Sequence, residues 1–401
     1  MTKMEVVETA MVVTPSEEMR RQGLWLSNLD LQSPHIYTTV LNYYPAPAGR
    51  PEHGGGACDP ERLKVALARA LVPFYPLAGR LCLGEDGRRY VDCNGEGVRF
   101  FVARADVTGP ELFKDYQPSP EVTETFVPDM PPEELPCMVA LFQLTFLKCG
   151  GVVLSSSFHH AVVDGTSLFH FMQSWSRLAR GLDAAEAVGP QAPFHDRTSL
   201  RARAPPLQQM GAPPAPAAHS LNFAATSCPR AFVARVYPFP HTLVHELTSR
   251  CCGSGATGVS SFFGNAALQA PALPRRVGDV IDGPPASVVG MIMDAVNSVD
   301  DTYVRAVVDY HELPKENLVL GAMEPPESDV AMVSWLGMPL YDADFGWGVP
   351  ELVMPTTVSV FSGMVLVLPR GLDKESGIIV VVNLEPEYLP ALKKLLYDVV
   401  L

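Results

Sequence analysis

The sequence predicts an α/β protein of two domains. A chain of 401 residues that is 47% hydrophobic can bury a large core, and two domains are the natural division at that length. Helical and alternating apolar patterns follow one another along it. A proline-crowded stretch separates an earlier set of elements from a later one.

The elements read in order. Asp59-Pro60-Glu61 has the form of an N-cap, a first-turn proline and an acidic first turn, and Leu63, Ala66, Leu67, Ala70 and Leu71 then recur at helical spacing. This predicts a helix that packs one face on a sheet. The apolar runs 144–147 and 152–158 flank Cys149-Gly150-Gly151 and predict a β-hairpin. Its second strand stops at the pair His159-His160, and helical periodicity resumes over 167–178. From about 184 to 218, Pro190, Pro193, Pro205, Pro206, Pro213, Pro214 and Pro216 crowd the chain. Proline lacks the N–H that a sheet ladder needs and restricts the residue before it, so this stretch reads as an extended crossover. The division is therefore 1–183, a crossover at 184–218, and 219–401. Late in the chain, 364–368 and 378–384 read as two strands joined by a charged turn, and 389–400 as a closing amphipathic helix.

Composition excludes several classes. The formal charge is −14 and no run of Lys or Arg occurs, whereas binding to a phosphate backbone needs a basic footprint, so no nucleic-acid partner is expected. The N-terminal residues lack the basic-then-apolar pattern of a signal peptide, and no stretch of about 18 uninterrupted apolar residues suggests a membrane span. The eight cysteines are scattered without a C-x-x-C pair, which fits reduced thiols in a cytoplasmic protein.

The chemistry centres on H-H-A-V-V-D-G, His159 to Gly165. A lone H-x-x-x-D is a weak signal, and its bland reading is a histidine satisfied in a loop. Here the string lies where a strand of β-branched and serine residues stops and a helix begins, a place that exposes a side chain. Histidine titrates near neutral pH, so a neutral His160 can take a proton from an attacking hydroxyl or amine. Asp164 is placed to orient the loop and Gly165 to allow a tight turn. His159 should point elsewhere, into the structure. No third nitrogen or sulfur ligand stands at metal spacing near His159, His160 and Asp164, so no metal is expected. D-F-G-W-G, Asp344 to Gly348, contains the D-F-G of protein kinases, but the phosphate loop and the H-R-D string are missing. No G-x-S-x-G elbow of a serine hydrolase occurs.

His160 and Asp164 in H-x-x-x-D, together with Asp344-Phe345-Gly346-Trp347-Gly348, resemble the BAHD family of plant acyl-CoA-dependent acyltransferases. Val6-Val7-Glu8 and Leu24-Trp25-Leu26-Ser27-Asn28-Leu29-Asp30-Leu31 are similar to the opening of its hydroxycinnamoyltransferase branch. Pro76-Leu77-Ala78-Gly79-Arg80-Leu81 and Phe263-Gly264-Asn265 resemble two further strings of the family, in the same order. A related condensation domain of a peptide synthetase would share the histidine string but not usually D-F-G-W-G.

The resemblance implies two chloramphenicol-acetyltransferase-like α/β domains of mixed sheets and helices, with an active-site channel at their interface. It implies a monomer that needs no cofactor and uses acyl-CoA as co-substrate with a small-molecule acceptor. His160 would be the general base, and Asp164 would face away from substrate and hold its loop through an arginine. Trp335 would line the acceptor side and offer its indole N–H to the tetrahedral oxyanion. Asp344, Phe345, Gly346, Trp347 and Gly348 would shape the second domain, away from the chemistry. Thr38 and Asn42 fall in the stretch matching an acceptor-binding segment.

Three departures stand out. Shikimate and quinate enzymes of the branch carry an arginine two residues after the tryptophan, to grip the acceptor carboxylate. Here Ser334-Trp335-Leu336-Gly337 puts Gly337 there. In the early segment Thr38 survives, while Val40 and Asn42 lack the hydroxyls expected there. Both point to a carboxylate-free acceptor such as an amine or diamine. Finally, only 253–262 lies between Cys252 and Phe263, where the family carries a helix and a strand with an arginine motif. A chain short of that piece is either an active transferase or an impaired paralogue acting only as a binding module.

Overall fold

The computed structural model describes residues 4–15, 22–33, 35–46, 58–128, 134–206, 232–244, 262–270, 272, 276–313, 330–356, 362–372 and 376–398. The strands, in chain order, are β1 (Met4–Val12), β2 (Gly23–Trp25), β3 (Tyr37–Tyr44), β4 (Arg80–Leu83), β5 (Arg89–Asp92), β6 (Val98–Ala105), β7 (Cys137–Met138), β8 (Ala140–Leu147), β9 (Val152–His159), β10 (Val233–Phe239), β11 (Ala331–Ser334), β12 (Leu352–Pro355), β13 (Met364–Pro369) and β14 (Ile378–Leu384).

They form three sheets. A six-stranded mixed sheet runs β1-β6-β8-β9-β3-β12, antiparallel except for the β6–β8 pair. A four-stranded sheet runs β10-β14-β13-β11, with β11 parallel to β13. A smaller antiparallel sheet runs β2-β5-β4-β7. The predicted hairpin is β8–β9, with Gly150 at φ 83° in its turn, a left-handed conformation that glycine adopts without steric cost. The two late strands are β13 and β14, and the closing helix is Leu389–Asp398.

The sheets do not follow the linear division of the chain. β12, from the late half, adds to the six-stranded sheet beside β3, with Val353 opposite Asn42 and Pro355 opposite Val40. Pro355 sits on the outermost strand, where a missing N–H is tolerated.

The early helix is Pro60–Ala70, with Asp59 accepting the Glu61 N–H at 3.0 Å. Its buried face, Leu63, Ala66, Leu67 and Ala70, meets the helix Gly165–Ala179 far more than a sheet. Trp175 of that second helix is fully buried and donates its indole N–H to the Leu63 carbonyl at 3.1 Å. Around it Phe100, Phe142, Phe171 and Phe345 pack edge-on or tilted. The core is thus aromatic and shared by both halves. Of the crossover, 184–206 are described and 207–218 lie outside the described residues. The described part is not merely a spacer: Ala187 and Arg197 are buried, and Phe194 bridges to Phe262. No helix among the described residues is long and apolar enough to cross a membrane.

Candidate active site

β9 delivers the histidine pair. His159 lies opposite Tyr37 and its N–H reaches the Val139 carbonyl at 2.8 Å, so the ladder still holds it. His160 leaves the ladder, and its N–H takes the Ile36 carbonyl at 2.9 Å. The two rings have different surroundings. His159 is 3% exposed, edge-on to Tyr37, and accepts the Ala161 N–H on Nδ1. Burial, then His35, Arg89 and His160, push it down to about 3. It is a neutral structural residue, as the sequence suggested.

The turn after His160 ends at Asp164, an extended residue that N-caps the helix Gly165–Ala179 and accepts the Ser167 N–H at 2.8 Å. Its own N–H goes to the Gly264 carbonyl at 3.0 Å. Burial raises the Asp164 carboxyl, against the Ser167 groups, the Ala266 N–H and His160, which favour its charge. The resemblance implied an arginine partner. Among the described residues Asp164 has no ion pair, and backbone N–H groups stand in that role. Nearly all of the short 253–262 segment lies outside the described residues.

Gly165 departs from expectation. It has no positive φ, so the turn does not require it. A Cβ there would lie 2.9 Å from Met338 Sδ and 3.7 Å from Trp335 Nε1. Its smallness makes room for the Trp335 segment against the start of the helix, and Trp335 packs edge-on against Phe169 of that helix at 5.5 Å.

Facing the histidine turn is Phe263-Gly264-Asn265. Gly264 has no space for a Cβ, which would come within 2.6 Å of Arg197 Nη2 and of the Phe262 ring. The Ser167 hydroxyl lies 3.1 Å from both the N–H and the carbonyl of Gly264. Asn265 is fully buried. Its Nδ2 donates to the His160 carbonyl at 2.8 Å and lies 2.9 Å from His160 Nδ1, while its Oδ1 accepts the Ala267 N–H at 3.0 Å.

This segment rests on a buried ion pair. Asp30 Oδ2 accepts the Ser27 N–H at 2.8 Å, the Ser27 hydroxyl at 2.7 Å and Arg197 Nε–H at 3.0 Å. Its Oδ1 accepts the Asn265 N–H at 2.8 Å, and Arg197 also donates to the Phe263 carbonyl at 3.0 Å. Sequence reasoning noted Asp30 and Asn265 only as letters in motifs and did not single out Arg197. Such a network joins positions more than a hundred residues apart, and no local pattern reports it.

The other sequence-predicted residues divide. Thr38 stands opposite Phe158 at the His160 end of β3. Asn42 stands opposite Leu154, five positions before His159 and roughly 17 Å along the strand. It is 3% exposed with Oδ1 unpaired, so the structure does not bring it to His160. Gly337 is exposed in the turn after Trp335. D-F-G-W-G packs on the first sheet and its helix rather than inside the second sheet. Phe345 meets Trp175 at 4.9 Å and Trp347 meets Tyr44 at 5.5 Å. Asp344 Oδ1 accepts the N–H groups of Gly346 and Gly348, at 2.7 and 3.0 Å. Gly346 and Gly348 have φ of 97° and 101°, the left-handed region that glycine fills.

The family model described as Transferase family matches residues 2–228 and 258–399. The chain belongs to that family. It is the group of BAHD acyl-CoA-dependent acyltransferases whose motifs the sequence resembles, and the relatives agree. A hydroxycinnamoyltransferase of Narcissus pseudonarcissus is 34% identical, over 98% of this chain and 99% of its own length. Putrescine hydroxycinnamoyltransferase 1 of Oryza sativa subsp. japonica is 32% identical, covering 98% of each. Shikimate O-hydroxycinnamoyltransferase of Nicotiana tabacum is also 32% identical, over 99% of this chain and 100% of its own. The Narcissus alignment has 445 positions against 401 residues here, so at least 44 residues of that relative have no counterpart in this chain. Among solved structures, F. sporotrichioides TRI101 complexed with coenzyme A and T-2 superposes with a TM-score of 0.69 at 18% identity, over 93% of this chain and 97% of that one. At that identity the likeness concerns the fold, two chloramphenicol-acetyltransferase-like α/β domains.

Proposed function

We propose that this transferase moves a hydroxycinnamoyl group from coenzyme A to a small amine or alcohol, with His160 as general base. The observation that carries the reading is the contrast between two adjacent imidazoles. One is sealed among core groups. The other is partly exposed where it leaves its strand, with its Nδ1–H bonded to its own carbonyl and Nε2 as its remaining basic atom. Burial lowers the His160 pKa, against its bond to its own carbonyl and the pull of Asp164. The ring is therefore neutral at pH 7 and free to accept a proton.

The chemistry needs no acyl-enzyme. The acceptor N or O attacks the thioester carbonyl as its proton passes to His160 Nε2. The tetrahedral oxyanion forms near Trp335, whose indole N–H would stabilise it. Collapse breaks the C–S bond, and the departing thiolate takes the proton from the imidazolium. Both substrates held together make the step effectively unimolecular.

Gly337 supplies no cation for an acceptor carboxylate, so a diamine or another acceptor without a carboxylate fits better than shikimate. The net charge of −14 also favours a cationic acceptor at the level of encounter. An alkylamine must lose its extra proton before attack. The missing residues relative to the Narcissus enzyme favour a second reading, a chain that binds but does not turn over. Incubation with p-coumaroyl-CoA and putrescine, agmatine, tyramine, glycerol or shikimate, following thiol release, separates the two. Amine-dependent release that disappears in His160→Ala supports the transferase. Release that prefers shikimate overturns the acceptor reading, and no release with any acceptor favours the binding module.

A further inference from the structure

We infer that the outer edge of β11 pairs with the same edge of a second copy of this chain, joining two four-stranded sheets across a two-fold axis in place of the monomer that the resemblance implied. A sheet edge presents a row of unpaired N–H and C=O groups, and proteins blunt it with charge, proline, a bulge, shortness or a cover.

The other edges among the described strands are blunted. β1 carries Glu5 and Glu8 and breaks its register between Val6 and Glu8. β12 ends in Pro355, and β2 and β7 have only three and two residues. On β10 the Gln117 side chain covers the edge. Its Oε1 accepts the Val236 N–H at 2.9 Å and its Nε2 donates to the Val236 carbonyl at 3.2 Å. β11 has none of these. It is bonded on one side, to β13, and residues 330–338 contain neither charge nor proline. Apolar side chains stand in solvent along it, with Val330 69%, Met332 54% and Val333 37% exposed.

The ladder fixes which groups face outward. The Ala331 N–H goes to the Gly363 carbonyl at 3.0 Å and the Trp335 N–H to the Val367 carbonyl at 2.8 Å. Alternation along the strand then turns the N–H and C=O of Met332 and Ser334 away from β13. An antiparallel two-fold sets Met332 of each copy against Ser334 of the other, with both main-chain bonds made in each pair. Between these pairs Val333 meets Val333 of the second copy, at the non-hydrogen-bonded position where side chains approach most closely. Val330 falls opposite Leu336, which is also exposed. No like charges face each other, so the strand is its own complement. The two-fold closes after two copies and leaves no further edge of this kind. Opposing it, each copy carries a charge of −14, and the two repel until salt screens them.

The experiment is sedimentation velocity of the full chain from about 1 to 100 µM, in about 0.05 M and about 0.5 M NaCl. A single strand pair is a small contact, so the mass should rise with concentration from one chain to two and stop there, further along in the higher salt. Met332→Pro removes an outward N–H and leaves the bonds to β13 intact, and Met332→Lys puts a charge on the edge. Each should weaken association about tenfold or more with the melting temperature unchanged. Under mild oxidation Val333→Cys should form an interchain disulfide that neither the parent nor Met332→Cys forms, because the register brings position 333 against itself. A parent that stays a monomer at the highest concentration and salt overturns the inference and leaves the edge to an unrelated partner. A mass that climbs past two chains, or a dimer that both Met332 variants leave intact, overturns it as well. Should the variants fail to fold, amide exchange of the parent decides. The Met332 and Ser334 amides should slow as concentration rises while those of Ala331 and Val333 stay slow throughout, and exchange at 332 and 334 that ignores concentration overturns the pairing.

Discussion

Breaking the Asp30–Arg197 pair should be among the most damaging single changes outside the histidine turn. The pair is separated by 3.0 Å, with side-chain exposures of 2% for Arg197 and 0% for Asp30. Asp30→Ala leaves the guanidinium buried beside two carbonyls without its anion, and releases the N–H groups of Ser27 and Asn265. Arg197→Met leaves the carboxylate buried without its cation. Removal of one partner of a buried pair costs about 3–5 kcal/mol. The double variant leaves no uncompensated charge, so its loss should fall short of the sum of the two singles by about 1–3 kcal/mol. Denaturant unfolding followed by tryptophan fluorescence measures all four proteins. Strictly additive losses, or a single-variant loss under about 1 kcal/mol, would refute the view that this pair anchors the Phe263-Gly264-Asn265 segment.

Acid should destabilise the fold through its buried histidines. His159 is pushed down to about 3, and His35 and His311 to about 4, in each case chiefly by burial. Their folded values lie below the unfolded one near 6.5, so the unfolded chain binds more protons as pH drops. This stability is complete above about pH 6.5 and is lost as pH falls toward 4. His159 alone contributes up to about 1.4 kcal/mol per pH unit there. The melting temperature should be level above pH 7 and fall below pH 6, less steeply in His159→Gln; a flat profile from pH 7 to 5 would contradict this. Gly348 has φ of 101°, and a Cβ added to it would meet nothing within 4 Å, so Gly348→Ala tests backbone strain without a clash. A loss of about 1–2 kcal/mol is expected in a thermal or denaturant melt. Phe345→Ala empties a site 3% exposed beside Trp175 and should cost about 3–5 kcal/mol by the same assay, although it lies outside the histidine turn.

The sequence made the regular elements legible because their signals are local. Asp59-Pro60-Glu61 marks a helix start wherever it occurs, and Cys149-Gly150-Gly151 marks a tight turn. The histidine turn was legible for the same reason, lying between a strand pattern and a helix pattern. What stayed hidden were agreements between distant segments. Nothing near Arg197 announces that it will be buried against Asp30, since a proline-rich crossover ordinarily stays in solvent. Gly165 was read as a turn former because that is the usual local reason for glycine, whereas Met338 and Trp335 claim the space. Asn42 is suggested only by resemblance to a family segment, and only the β3–β9 register shows how far along the strand it lies.

The placement of β12 beside β3 bears on how the protein is made. While a ribosome is still producing the middle of the polypeptide, β3 has β9 on one side and nothing on the other. That bare rim persists until residues 352–355 emerge. An open flank of this kind invites pairing with the wrong neighbour. A nascent chain arrested before residue 352 should therefore lean on chaperones far more than one released past residue 356.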